Sequence, residues 1–529
     1  MPTKEDRVVG PPGCGKTTFL TRVIGHCAQE YGSDNVIAVS HTRAAAAELA
    51  GRETPIARDN VGTLHSFAYR AIGRLPLAET SEHLREFVDA YPQWPFSAIA
   101  DPADVSFSAG GTEGDKAMQV YQRCRALGLP REAWPITALD IATAWEDFKA
   151  QTGTIDFTDM IELATTDTDC APGDPHVMIC DECQDASRLQ WRLMTRWAER
   201  CERWVTAGDC DQAIFTWAGA DPAYFAEHTP MRRKVLEQSY RVPRAVHALA
   251  LDWVRQATDR EDVVYLPRDA EGSVQRTSAT HKYPEPLLDI IEQAGADGRT
   301  VMIQASCGYM LRPLIEVLRR EAIPFANPWR IKGGSGWNPL ASRGAGSTVD
   351  AIRTFLQPHT RGKLWNKGEA EQWLGIVKDA FVHGGKKRFS ENTLDQFTPD
   401  EVLERIAEYL KDPEDLSRII APPPDCLNWL EDHLLSSKQA PAQFPLHVAR
   451  QRGVTCLQED PKVYVGTCHS FKGSEADVNI VFPDLSYQGY AEWLGTGRND
   501  ILRLFYVAIT RTRNDLYMAS AASGMGVWT

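Results

Sequence analysis

The sequence predicts an α/β fold built on parallel sheets, and three observations carry that expectation. A short apolar strand, Arg7 to Val9, runs straight into the glycine-rich stretch GPPGCGKTT at residues 10–18, within which a helix should begin. A second apolar run, Val177 to Cys180, ends in an acidic pair, Asp181 and Glu182. With 529 residues the chain exceeds one core, and at roughly 150 residues per domain about three or four domains are expected.

Composition narrows the class. Hydrophobic residues make up 43% and charged residues 24%, and no apolar run approaches the roughly 18 residues of a membrane span, so a soluble globular protein is expected. The opening MPTKEDRVVG has neither the apolar core of a signal peptide nor a transit-peptide pattern, which points to the cytoplasm. The twelve cysteines are scattered and read as reduced thiols. Cys180 and Cys183 have a CxxC spacing, but no second pair lies nearby and the acidic pair sits between them, so metal binding is the weaker reading. A net charge of −14 argues against coating duplex DNA through a broad basic field. It leaves room for a local groove in which unstacked bases meet aromatic rings, for which 15 Trp, 15 Tyr and 18 Phe are available alongside the needs of the core.

The first glycine-rich stretch carries the chemistry. Gly10, Gly15, Lys16 and Thr17 fit G-x4-G-K-[ST] between a strand and a helix. In that setting Gly10, Pro11, Pro12, Gly13, Cys14, Gly15, Lys16, Thr17 and Thr18 form the phosphate-binding loop, whose glycines let backbone N–H groups close around phosphate oxygens at a helix N-terminus. Lys16 reaches the β and γ phosphates and the Thr17 hydroxyl binds Mg²⁺. Asp181 is the second expected Mg²⁺ ligand, and Glu182 is placed to orient or deprotonate an attacking water. Separately, these are a glycine-rich turn and a solvated strand end; together they specify an ATP site.

Further strings complete a pattern. DECQD at 181–185, AGDCDQAIFTWAGA at 207–220, LEQSYR at 236–241, GTCHSFKGSEA at 466–476 and RLFYVAITRTR at 503–513 closely resemble the UvrD/Rep/PcrA helicases of superfamily 1. SHTRAAAAEL at 40–49, GTLHSF at 62–67 and an FK...DFTD stretch ending at Asp159 follow in the same order. The resemblance implies two RecA-like parallel-sheet domains clamping ATP, each interrupted by a mainly helical accessory insertion. The first RecA-like domain would be residues 1–67 and 155–236, with insertion 68–154; the second would be 237–330 and 455–529, with insertion 331–454.

It also implies residue roles. Gln212 matches the glutamine that couples the γ-phosphate to the DNA groove, and Arg241 and Arg511 match arginines that reach the γ-phosphate from the second domain. Tyr240 matches a tyrosine stacked on adenine and Glu475 a carboxylate on the ribose. Phe215 and Trp217 match aromatics that meet bases, while His41, Thr63, His65 and His469 match positions along the strand-binding groove. For Gln212, Arg241 and Arg511 a solvated surface is the bland alternative, and the surrounding strings outweigh it; a structural role stays open for Tyr240 and Glu475, and core packing for Phe215 and Trp217.

Several positions depart from the family pattern. Nine residues precede Gly10, leaving no room for the family's upstream glutamine motif, so base selection is expected to rest on Tyr240 and to admit GTP or dATP. His41 replaces an aromatic, Ala44 a lysine with Arg43 displaced beside it, Ala218 an arginine and Ser474 a leucine. The ATP machinery is therefore kept more faithfully than the groove. HGGKKRF at 383–389 reads as a solvated basic face, with a duplex contact as the lesser alternative. No nuclease or zinc module is visible. The expected function is an ATP- and Mg²⁺-dependent 3′-to-5′ single-stranded DNA translocase and helicase acting at single/double-strand junctions, with RNA a lesser candidate track. The alternative is an ATP-gated nucleoprotein-remodelling or recruitment factor with little unwinding.

Overall fold

The computed structural model describes residues 5–41, 46, 49–51, 54–96, 112–227, 230–328, 337–342, 344, 346–378, 380–382, 385–391 and 398–528. Arg43 and Ala44 lie outside the described residues, as do His383 and Gly384.

The first sheet comprises β1 (Glu5–Val9), β2 (Val36–Ser40), β3 (Val61–Thr63), β4 (Val177–Asp181), β5 (Arg203–Gly208) and β6 (Arg232–Val235). Its order is β3-β2-β4-β5-β1-β6, and each of these neighbouring pairs is parallel. Both strands foreseen in the sequence are present, each slightly longer than the apolar run that signalled it. Every residue of β2 and β4 is buried, because a parallel sheet covered by helices on both faces has no solvated side to alternate with. On one face the helix Lys16–Tyr31 lays Leu20, Ile24 and Cys27, an i, i+4, i+7 stripe, in a core with Val36, Ala38, Ile179 and Val205. On the other, the helices Leu64–Ala71, Phe157–Asp167 and Arg188–Arg200 pack Phe67, Met160, Trp191 and Trp197 in a core with Ile37, Val39 and Met178. The last two helices begin in capping boxes, Asp156 with Asp159 and Ser187 with Gln190, which satisfy first-turn N–H groups that have no intrahelical partner.

The helical stretch ALDIATAWEDFKA lies within the helix Ile136–Thr152. Its Trp145 and Phe148 share a separate core with Phe87 and Tyr121. Trp145 Nε1 donates to Asp156 at 2.9 Å, tying that core to the start of the helix Phe157–Asp167.

Beyond the first sheet, β7 (Gln238–Pro243) and β8 (Leu266–Arg268) form a two-stranded parallel sheet. A second six-stranded sheet contains β9 (Ser273–Thr277), β10 (Val301–Ala305), β11 (Phe325–Ala326), β12 (Val463–Thr467), β13 (Ala476–Val481) and β14 (Thr512–Ala519), in the order β11-β12-β10-β13-β14-β9. The α/β class with two parallel sheets is thus as expected.

The chain divides into two compact units. One holds Met1–His281, Gln304–Met310 and Gly466–Thr529, and the other Lys282–Ile303 and Leu311–Val465. The second unit is largely helical, with the helices Thr348–Phe355, Lys367–Leu374, Asp425–Asp432 and Ser436–Arg452. Phe355 stacks on Trp365 and Trp429 and meets Trp373 edge-on within it. In the basic segment the helix Gly385–Glu391 begins, and Lys386 Nζ donates to the Val377 carbonyl near the Phe381 ring, so this charge is used internally.

All twelve cysteines are free thiols, and Cys183 Sγ donates to the Cys180 carbonyl at 3.3 Å. No helix among the described residues is long and apolar enough to cross a membrane.

Candidate functional site

Parallel sheets gather ligand-binding residues beyond the carboxyl ends of their strands. The first sheet does this with Gly10 to Gly15 after β1, His41 after β2, Asp181 at the end of β4, and Asp209 to Gln212 after β5. All of these residues belong to the first compact unit.

The loop after β1 hangs from β5, with the Gly10 N–H donating to the Gly208 carbonyl at 3.1 Å. Gly13 and Gly15 have φ of +74° and +72°, which only glycine adopts without strain. A Cβ on Gly13 would also lie 2.5 Å from Arg241 Cβ. The loop carbonyls face the segment of β7. Pro12 O accepts from Ser239 Oγ and from the Tyr265 hydroxyl, each at 2.9 Å, and Gly13 O accepts from Tyr240 N–H at 2.9 Å. The Cys14 N–H turns inward to Pro11 O at 3.2 Å. Gly15 caps the helix Lys16–Tyr31, whose first turn carries Thr17 and Thr18. A helix N-terminus behind a glycine turn is a ready anion cradle.

Lys16 points into this cradle, with Nζ 2.5 Å from Glu182 Oε1 and 3.7 Å from Asp181 Oδ1. Burial would lower its pKa, but the two carboxylates outweigh burial and raise it. Glu182 has φ of +57°, a conformation costly for a non-glycine residue and concentrated at functional sites. Its Oε2 accepts from Gln184 Nε2 at 2.7 Å. Burial favours its neutral form, yet Lys16 and then Lys472 hold its pKa well below the usual carboxylate range. Oxygen donors from Asp181 and Thr17 suit Mg²⁺, which takes one or two carboxylates together with phosphates and water. Among the described residues there is no all-protein cluster of His, Cys, Asp and Glu suited to a metal.

Gln212 stands between two charged groups. Its Nε2 donates to Asp209 Oδ2 at 2.7 Å, and its Oε1 accepts from Arg511 Nη2 at 3.1 Å. Burial and then Asp211 push Asp209 up to about 7, while burial and then Arg241 bring the Arg511 guanidinium down to about 9. Arg241 Nε donates to Glu475 Oε2 at 2.6 Å, and Arg513 pairs with the other oxygen. Glu475, expected at a ribose, therefore also organises two arginines. Tyr240 is 70% exposed, open to a stacking partner.

Four residues expected along the strand groove form one ring cluster. Phe215 has His41, Trp217 and His469 around it at centroid distances of 6.1, 6.3 and 6.0 Å. Trp217 and His469 meet edge-on at 6.3 Å. Burial first, and Lys472 among the charges, lower the pKa of His41 to about 3 and of His469 to about 4, so both rings are neutral near pH 7. Thr63 and His65 make different contacts. Thr63 Oγ1 caps the helix Leu64–Ala71 by accepting from Ser66 N–H at 3.2 Å, and His65 lies edge-on to Phe157 at 6.0 Å.

Lys472 links the two clusters and was not singled out from the sequence. Its Nζ pairs with Asp185, donates to Gln212 O at 2.6 Å, lies 3.6 Å from Glu182 Oε2 and sits 5.4 Å from the Phe215 ring centroid. Burial nevertheless pushes Asp185 up to about 6. The available signal was a lysine inside the GTCHSFKGSEA string.

A family model described as an AAA domain matches residues 2–218. The chain is 26% identical over 376 residues to the ATP-dependent DNA helicase UvrD2 of Mycobacterium tuberculosis, an alignment covering 62% of this chain and 53% of that relative. It is also similar to the ATP-dependent DNA helicase PcrA of Leuconostoc citreum, at 25% over 268 residues covering 44% and 35% of the two chains. The chain is thus similar to the UvrD/PcrA-like helicases of superfamily 1. A third relative, PcrA of Staphylococcus aureus, is 23% identical over 281 residues covering 48% of this chain and 38% of the relative. The match thus spans about half the length of the UvrD2 relative and less of the PcrA relatives.

Proposed function

We propose that this chain is an ATP-driven translocase and helicase that moves 3′ to 5′ along single-stranded DNA and works at single/double-strand junctions. The observation that carries the reading is continuity across a few residues. Gln212 accepts from Arg511 at the phosphate side, and Phe215, three residues on, heads the ring cluster. A change felt by Gln212 is therefore transmitted to the rings by a short stretch of backbone. The names of the UvrD2 and PcrA relatives support DNA as the track, and the polarity follows from the family resemblance.

In this reading, phosphates enter the cradle of residues 10–18 and draw Lys16 from Glu182. The freed Glu182 carboxylate then orients and deprotonates water. Thr17 and Asp181 would hold Mg²⁺, which would supply charge neutralisation at the phosphates. Tyr240 stacks on the base and Glu475 meets the ribose. Arg241 and Arg511 stabilise charge developing on the transferred phosphoryl group as the cleft closes. His41, Phe215, Trp217 and His469 hold unstacked bases, with Thr63 and His65 at the phosphates, giving sequence-independent grip. Residues 1–67 with 155–236, and 237–330 with 455–529, serve as the two motor domains, with accessory insertions at 68–154 and 331–454.

The test is ATP-dependent strand separation on duplexes bearing a 3′ or a 5′ single-stranded tail, with Lys16→Ala as control. Unwinding of the 3′-tailed duplex alone, lost in Lys16→Ala, is expected. Unwinding of the 5′-tailed duplex alone would overturn the polarity. Lys16-dependent hydrolysis without unwinding would shift the reading to a nucleoprotein-remodelling factor.

A further inference from the structure

The segment from Gln256 to Arg260 runs as a strap along the start of the helix Arg498–Ile509. Arg498 Nη2 donates to Gln256 Oε1 at 3.3 Å, and Thr258 N–H donates to Asn499 Oδ1 at 3.3 Å while Asn499 Nδ2 returns a bond to Thr258 Oγ1 at 3.2 Å. Arg503 then grips Asp259 through two bonds of 3.1 and 2.8 Å. The strap and helix thus form one body, and Arg511 follows two residues after the end of that helix.

From this body Arg260 reaches to the turn after β5. Its Nη2 donates to Asp211 Oδ2 at 2.7 Å and its Nε to the same oxygen at 3.1 Å, with Asp262 3.1 Å from Nη1. Only 10% of the Arg260 side chain and 6% of the Asp211 side chain are exposed. Two guanidinium groups of one body therefore land on adjacent residues, Arg260 on Asp211 and Arg511 on Gln212.

We infer that Arg260 is a positioning residue whose pair with Asp211 latches the cleft over the nucleotide site, bringing Arg511 to Gln212. The inference rests on the nucleotide-binding part of the reading above and not on strand movement. An ion pair suits such a contact better than an apolar one. Its forked geometry admits one register, and both charges regain water when the cleft opens, so the contact is directional when made and soluble when broken. Truncating one member of a buried charge pair acts chiefly on dissociation.

The experiment is stopped-flow release of mant-ADP, chased with unlabelled ADP, from the full chain and from Arg260→Ala, Asp211→Asn, the double variant and Arg260→Lys. Release is expected to accelerate about tenfold in each single variant, with the double variant no faster than either single and Arg260→Lys between them and the wild type. The thermal midpoint of each nucleotide-free variant separates a latch from a fold defect, because Arg260→Lys keeps the charge and the packing. Unchanged release, additive effects in the double variant, or acceleration that tracks lost thermal stability would overturn the latch alone. Failure of the wild type to bind mant-ADP would overturn the nucleotide reading and the latch with it.

Discussion

Arg511 Nη2 donates to Gln212 Oε1 at 3.1 Å, although the two residues lie 299 positions apart in the chain. The guanidinium is buried and makes a second bond from Nε to the Val507 carbonyl at 2.9 Å, which fixes its plane. An arginine held this way is pre-aimed. Replacing it with alanine is expected to lower ATP turnover about a thousandfold, the lower end for an arginine that meets transition-state charge. KM for ATP should move only a few-fold. Steady-state hydrolysis in the presence of single-stranded DNA reads both, and a change confined to KM would contradict the role.

Glu182→Gln keeps the shape of the side chain but removes its basicity and its pair with Lys16 at 2.5 Å. Turnover should fall by about a hundredfold to ten-thousandfold, as for loss of a positioned general base, while nucleotide binding is kept or tightened. Single-turnover hydrolysis alongside mant-ATP titration distinguishes these. Comparable losses of binding and turnover would assign Glu182 to the cradle instead.

Tyr240 is exposed above a loop to which its own N–H is bonded, at Gly13 O. If stacking on its ring supplies the base contact, Tyr240→Ala should raise KM for ATP and GTP alike, whereas Tyr240→Phe should leave both unchanged. Loss of selectivity in Tyr240→Phe would instead require a polar contact from the hydroxyl.

His469 gives a pH dependence of defined sign. Folded, its pKa lies near 4 because burial disfavours the cation, and unfolded it returns to about 6.5. Its stabilising contribution is complete above the unfolded value and is lost as pH falls toward the folded one, because the unfolded chain then binds the extra proton. At pH 5 the loss amounts to about 2 kcal/mol. Asp209, raised to about 7, acts in the opposite sense but is present in both proteins compared. Urea unfolding at pH 7 and pH 5 should show a smaller acid loss in His469→Phe than in the wild type. Equal losses would mean that the imidazole titrates normally.

The phosphate loop and the carboxylates of β4 were legible because their chemistry is local. A glycine at φ of +74° and a lysine following a glycine leave a signature within a few residues, and a buried parallel strand reads as a continuous apolar run. The ring cluster was legible only through resemblance, since His41, Phe215 and His469 come from three distant segments and nothing in their spacing brings them together. Lys472 and Asp185, 287 positions apart, and Arg260 and Asp211, 49 apart, were not foreseen as pairs. A charge in a sequence reads as solvated by default, and only the fold reveals which ones are buried against a partner. Thr63 illustrates the converse: its hydroxyl is occupied with a helix cap, a local use that the string GTLHSF also encodes.

Coupling between strand and nucleotide is read by the rate of ATP hydrolysis with and without oligo-dT, in the wild type and in a Phe215→Ala, Trp217→Ala double variant. Strong stimulation by the strand in the wild type is expected, with basal turnover kept in the variant and half-maximal stimulation requiring far more DNA, since each stacked base is worth about 1–3 kcal/mol. Wild-type turnover indifferent to the strand, or a variant stimulated at the same DNA concentration as the wild type, would contradict it.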